Sequence, residues 1–161
     1  MRRSIILLSL WAVVYLSSAA AKEWKGAVPG VTTRKEVLEK FGPPTKEFSK
    51  GGELANGISY QGDQAIEGAV EANFYFDRRE VLFRIDVFPA RELTREQIVR
   101  IFGKKYLERT SSSGNVYFQY PKEGLTVFFD KNGQQVFCFI FTVPASPGEE
   151  KSRGGKKKMQ E

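Results

Sequence analysis

Three acids, Asp63, Glu67 and Glu71, are the residues of this chain whose type and spacing come nearest to a catalytic set. Two carboxylates suffice for glycoside hydrolysis, one as acid and the other as nucleophile or base. Asp63 and Glu67 fall in a loop, however, where acids are ordinarily solvated, and no aromatic platform for a sugar adjoins them in sequence. Other chemistries are closed more firmly. The chain has no histidine, which removes Ser–His–Asp and Cys–His nucleophile systems and the commonest metal ligand. The stretch "GGELANG" has glycines but lacks the lysine and following hydroxyl of a phosphate-binding loop, and reads as a connection. Cys138, the single cysteine, sits in "VFCFIF" and reads as a small buried hydrophobe that has no thiol partner within the chain. No catalytic residue, cofactor or metal is expected, and the chain reads as non-enzymatic.

The positive clue is aromatic. Phe128, Phe137, Phe139 and Phe141 fall at alternating positions of two apolar runs near the C-terminal end. On a strand, residues two apart share a face, so a row of this kind is either core or a patch for a partner. Which of the two depends on the elements that carry it.

Those elements come in pairs. "TTRKEVLEKFG" (32–42) and "LTREQIVRIFG" (93–103) align without a gap from Thr33 on Thr94. Each threonine, with Glu36 or Gln97 three residues later, forms a capping box, and Leu93 is placed to staple against Ile98. Val37, Leu38 and Phe41, like Ile98, Val99 and Phe102, make a one-sided apolar stripe. Gly42 and Gly103 end the helices, and Pro43 and Pro44 forbid continuation of the first. Downstream, "FDRREVLFRIDVFPA" matches "FDKNGQQVFCFIFTVPA", each a polar turn between alternating apolar runs. With "GISYQ", "AVEANFYF", "NVYFQY" and "LTVFF" read as strands, the prediction is α+β: two tandem helix-plus-antiparallel-sheet (helix–β–β–β) repeats over residues 22–89 and 90–145. One continuous antiparallel sheet with both helices on one face is the alternative that keeps the same elements.

Alternation then assigns faces. Val70, Ala72, Phe74, Phe76, Val81, Phe83, Ile85 and Val87 should pack under the first helix, with Arg84 and Asp86 opposite. The same register in the second half puts Val127, Phe129, Val136, Cys138 and Ile140 inside and the four phenylalanines opposite. Large aromatics are mostly core, which would need the first half or the segment around Trp24 to cover that face. Exposed, the row would mark a partner-binding site.

The segment "GVTTRKEVLEKFGPPTK" resembles the opening of the SmpA/OmlA (BamE-like) small lipoproteins of outer-membrane assembly, through Gly30, Val31, Thr32, Val37, Phe41, Gly42 and Pro44. The tandem layout is similar to that of the secreted β-lactamase inhibitor proteins. The resemblance implies a non-catalytic interaction module of the bacterial envelope, a scaffold or assembly factor, or else a soluble inhibitor of an extracytoplasmic enzyme. Lys22 stands where the lipoproteins carry their lipidated cysteine, so no lipid is expected.

Composition bounds the rest. Arg2 and Arg3, the apolar run 5–16 and Ala19-Ala20-Ala21 have the three-part layout of a secretory signal peptide over residues 1–21. Retained, the run would be an anchor at the lower edge of spanning length. Removing Arg2 and Arg3 from 25 basic residues leaves 23 against 19 acidic ones, a net charge of +4. The tail 146–161 holds five basic and three acidic side chains, +2 of that total, and reads as disordered. The folded part is therefore near balance, with no basic stripe for nucleic acid. The tail's "GGKKK" can make weak contact with anionic membrane surfaces; the main partner expected is an envelope or secreted protein. The leader yields a direct expectation: mass spectrometry of the exported protein should find Lys22 as its first residue, whereas a start at Met1 would make it membrane-tethered.

Overall fold

The computed structural model describes residues 21–49 and 56–145. The leader 1–20, most of the "GGELANG" connection and the tail 146–161 lie outside the described residues, and with them the expectations placed there.

Both helices start as their caps dictate. α1 (Arg34–Phe41) and α2 (Arg95–Phe102) each carry a complete capping box. The Thr33 N–H donates to the Glu36 carboxylate at 2.7 Å and the Thr94 N–H donates to the Gln97 side-chain oxygen at 2.7 Å. Each threonine hydroxyl accepts the return bond, worth about 1 kcal/mol at such a cap. Gly42 and Gly103 end the helices at φ 79° and 82° with extended ψ, a region essentially open only to glycine.

Eight strands follow: β1 (Lys46–Ser49), β2 (Asn56–Gln61), β3 (Ala69–Phe76) and β4 (Leu82–Pro89), then β5 (Leu107–Thr110), β6 (Val116–Tyr120), β7 (Leu125–Phe129) and β8 (Val136–Thr142). They form one antiparallel sheet in the order β1-β2-β3-β4-β8-β7-β6-β5. The architecture is α+β with a single sheet, the continuous form of the sequence expectation. Each helix is followed by four strands, not three. The two additional ones, "KEFS" and "LERT", are short, polar edge strands with little apolar alternation to announce them. Short charged edges of this kind also discourage pairing with another chain.

Both helices lie on the same face of the sheet. Phe41 meets Tyr60 and Phe74 at ring-centroid distances of 6.0 and 5.5 Å, and Phe102 meets Tyr120 and Phe139 at 5.8 and 6.4 Å. Val37 and Ile98 are fully buried, each contributing roughly 1.5–3 kcal/mol by leaving water. Helices of this length are marginal alone, so this packing holds them. The segment before α1 joins the same layer: Trp24 packs on Phe41 and Phe74, and the Gly30 and Leu82 N–H groups donate to the Leu82 and Thr32 carbonyls.

Three bulges correct the face assignment. Pairing shifts by one residue between Ala69 and Glu71, between Tyr75 and Phe76, and between Phe128 and Phe129. The residues squeezed out are Val70, Phe83 and Phe137. A strand that gains one unpaired residue presents everything beyond it to the other face. Leu82, not Val81 or Phe83, is therefore in the core with Ile85 and Val87, and Val70 is 56% exposed. In β8 the helix side receives Val136, Phe139 and Phe141, while Cys138 and Ile140 turn to the opposite face.

Candidate interaction face

Among the described residues no helix or strand packs on the face opposite the helices. Its centre is polar. Arg84 and Asp86, two apart on β4, point the same way, and the Arg84 guanidinium donates two hydrogen bonds to the Asp86 carboxylate at 2.6 and 2.9 Å. In register beside them on β3 stand Tyr75 and Asn73, and on β8 Thr142 and Ile140. The Arg84 guanidinium lies 5.6 Å from the Tyr75 ring centroid, close enough for a cation–π contribution. Asn73 donates to the Glu71 carboxylate at 2.6 Å.

This cluster is screened from water by its own neighbours. Tyr75 is 6% exposed, Asp86 7% and Cys138 5%. Burial pushes the Tyr75 hydroxyl up to about 12, with the Asp86 charge adding to it. Burial likewise pushes the Cys138 thiol up to about 12, again helped by Asp86, so the thiol stays protonated and unreactive. Burial works against the Arg84 charge, but the hydrogen bonds and charge of Asp86 outweigh it and raise its affinity for the proton. The pair is thus a fixed, internally satisfied polar centre.

Aromatic rings surround that centre. Phe48 meets Tyr75 at 5.5 Å and covers Gly57 so closely that a Cβ there would lie 2.2 Å from its ring. Phe83 lies 6.5 Å from Tyr75, and Phe88 meets Phe137 edge-on at 5.4 Å. Across β8, Phe128 stacks on Tyr117 at 4.8 Å. Phe48, Phe83, Phe88, Tyr117 and Phe128 are half-buried, and Phe137 is 58% exposed.

The four phenylalanines expected to form one row are therefore divided. Phe128 is on the uncovered face and Phe137 projects from its bulge, whereas Phe139 (9% exposed) and Phe141 (5%) belong to the helix-side core. The bulge at Phe137 is the physical reason. Phe48, Phe88 and Tyr117 had not been singled out as site residues, and Phe83 was expected under the first helix; Phe48 lies on an unrecognised edge strand and Phe83 at an unrecognised bulge. The three loop and strand acids do not act together as a unit: Asp63 and Glu67 are exposed, and Glu71 is bound to Asn73.

No family model and no curated protein matches this chain. Among solved structures it is similar to that of a DUF4309 family protein, YjgB, from Bacillus subtilis, with a TM-score of 0.56 and 14% identity. The match covers 74% of this chain and 83% of that one, and at such identity it speaks to the fold alone. This likeness overturns the resemblance to the SmpA/OmlA (BamE-like) lipoproteins and the inhibitor proteins. The residues that suggested it, Gly30 to Pro44, build a capped helix with a glycine stop, a local solution available to any helix docked on a sheet.

The division of the phenylalanines is measurable. Phe139→Ser should cost about 3–5 kcal/mol, through lost burial and the cavity left behind. Phe137→Ser should cost about 1 kcal/mol or less, as expected of a largely exposed position. Thermal melts of the two variants decide it; equal losses would mean that the faces are wrongly assigned.

Proposed function

We propose that this chain is an exported, non-enzymatic interaction module that docks a protein partner on the uncovered face of its sheet. The observation that carries this reading is the composition of that face: half-exposed aromatic rings around a polar centre whose charges already satisfy one another. Aromatic and arginine side chains are the groups that dominate binding energy at protein interfaces. A paired Arg84–Asp86 centre can meet a partner's polar group without leaving an unmatched charge behind. Export follows from the signal-like leader, and with it an envelope or secreted protein as partner.

A tandem origin is the finer reading of the fold. Several contacts recur in both halves at matching places. The Tyr60 hydroxyl donates to the Gly42 carbonyl at 2.9 Å and the Tyr120 hydroxyl to the Gly103 carbonyl at 3.2 Å. Arg34 pairs with Glu47 on β1 as Arg95 pairs with Glu108 on β5. Thr33 bridges Val81 and Thr94 bridges Gln135, and Phe83 and Phe137 bulge at equivalent points. Two copies of one helix-plus-four-strand unit, joined through β4 and β8, account for all of these and for the mirrored strand order.

The test compares capture from the extracytoplasmic fraction by the natural chain, by Phe128→Ser with Phe137→Ser, and by a helix-side surface variant, Ile101→Ser. Ile101 is 59% exposed and serves as the control. A partner retained by the natural chain and Ile101→Ser, and weakened at least about tenfold by the paired phenylalanine variant, is the expected result. A partner kept equally by all three would place the docking surface elsewhere.

A further inference from the structure

A second recess lies on the helix side, where the two halves of the sheet meet. It is a cleft of about 390 Å³, within the size range of small-molecule sites. Val87, Phe139 and Phe141 form its floor, and Trp24, Leu93 and Phe102 its half-buried walls. Three charged side chains stand at the mouth: Lys25, Arg91 and Glu67. None of the three makes an ion pair or hydrogen bond with a described residue. The mouth therefore has two cations to one carboxylate.

Lys25 is held there at a cost. Trp24 and Ala27 exchange backbone hydrogen bonds at 3.0 and 2.9 Å around a two-residue turn, with φ of 49° at Lys25 and 77° at Gly26. Both central residues of such a turn need positive φ, which is why Asn-Gly is the favoured pair. A lysine in the first position strains the backbone where asparagine would not, and strain of this kind gathers at binding sites. The turn places Lys25 at the mouth of an apolar cleft, where it forms no ion pair with a described residue.

We propose that this cleft binds a small amphiphile, its apolar chain against Phe102, Phe139 and Phe141 and its carboxylate head beside Lys25 and Arg91. The site lies on the opposite side of the sheet from the proposed docking face, and either can stand without the other.

Calorimetric titration of the full chain with sodium decanoate, below its micelle concentration, tests this against decanol and decyltrimethylammonium. Decanoate should bind most tightly and decyltrimethylammonium most weakly, and Lys25→Asn with Arg91→Gln should weaken decanoate about tenfold or more. Asparagine suits the turn, so this variant keeps the fold, and an unchanged melting temperature verifies that. No binding of decanoate, equal binding of all three amphiphiles, or unchanged affinity in the variant would each overturn the proposal.

Discussion

The pairing of β4 with β8 is the constraint on which the rest depends. Four residue pairs, from Arg84 with Thr142 to Val87 with Phe139, join the two groups of four strands into one sheet. Apart, each group would end in a long apolar edge with unmet backbone donors and acceptors, an arrangement proteins avoid. Joined, the edges left are β1 and β5, short and charged. The seam also sets the two faces. On one side it aligns Ile85 and Val87 with Phe141 and Phe139 to make a single core under both helices. On the other it brings Ile140 and Thr142 against Asp86 and Arg84, so that the polar centre sits in the middle of a face eight strands wide.

Much of this was legible in the residues. Two helices with capping boxes at Thr33 and Thr94, glycine stops at Gly42 and Gly103, six of the eight strands and the α+β class follow from local chemistry, which tertiary packing did not override. The register did not follow. Alternation reads a strand as an unbroken two-residue period, and a bulge adds one residue without any change in composition. Phe83 and Phe137 are as apolar as their neighbours, so nothing in "VLFRIDVF" or "VFCFIF" marks the residue that leaves the ladder. One unmarked residue was enough to exchange Phe139 and Phe141 with Cys138 and Ile140 between the two faces of the sheet. The edge strands escaped for the opposite reason, since "KEFS" and "LERT" offer almost no apolar signal.

The family resemblance failed at the same boundary between local and global. Gly30 to Pro44 specify how a helix begins and ends, and many sheets can receive such a helix. What separates one fold from another is the strand order and the way the two halves meet, and those are properties of contacts far apart in sequence. The candidate docking face illustrates this: Phe48, Tyr75, Arg84, Phe88, Tyr117 and Phe128 come from five different strands.

If the seam governs the structure, the two halves cannot unfold separately, because each needs the other to cover its long edge. Differential scanning calorimetry of the folded chain measures this directly. The account predicts one transition whose calorimetric and van't Hoff enthalpies agree, as for a single cooperative unit. Two resolved transitions, or a calorimetric enthalpy about twice the van't Hoff value, would mean that the halves stand alone and that the shared face is not a unit.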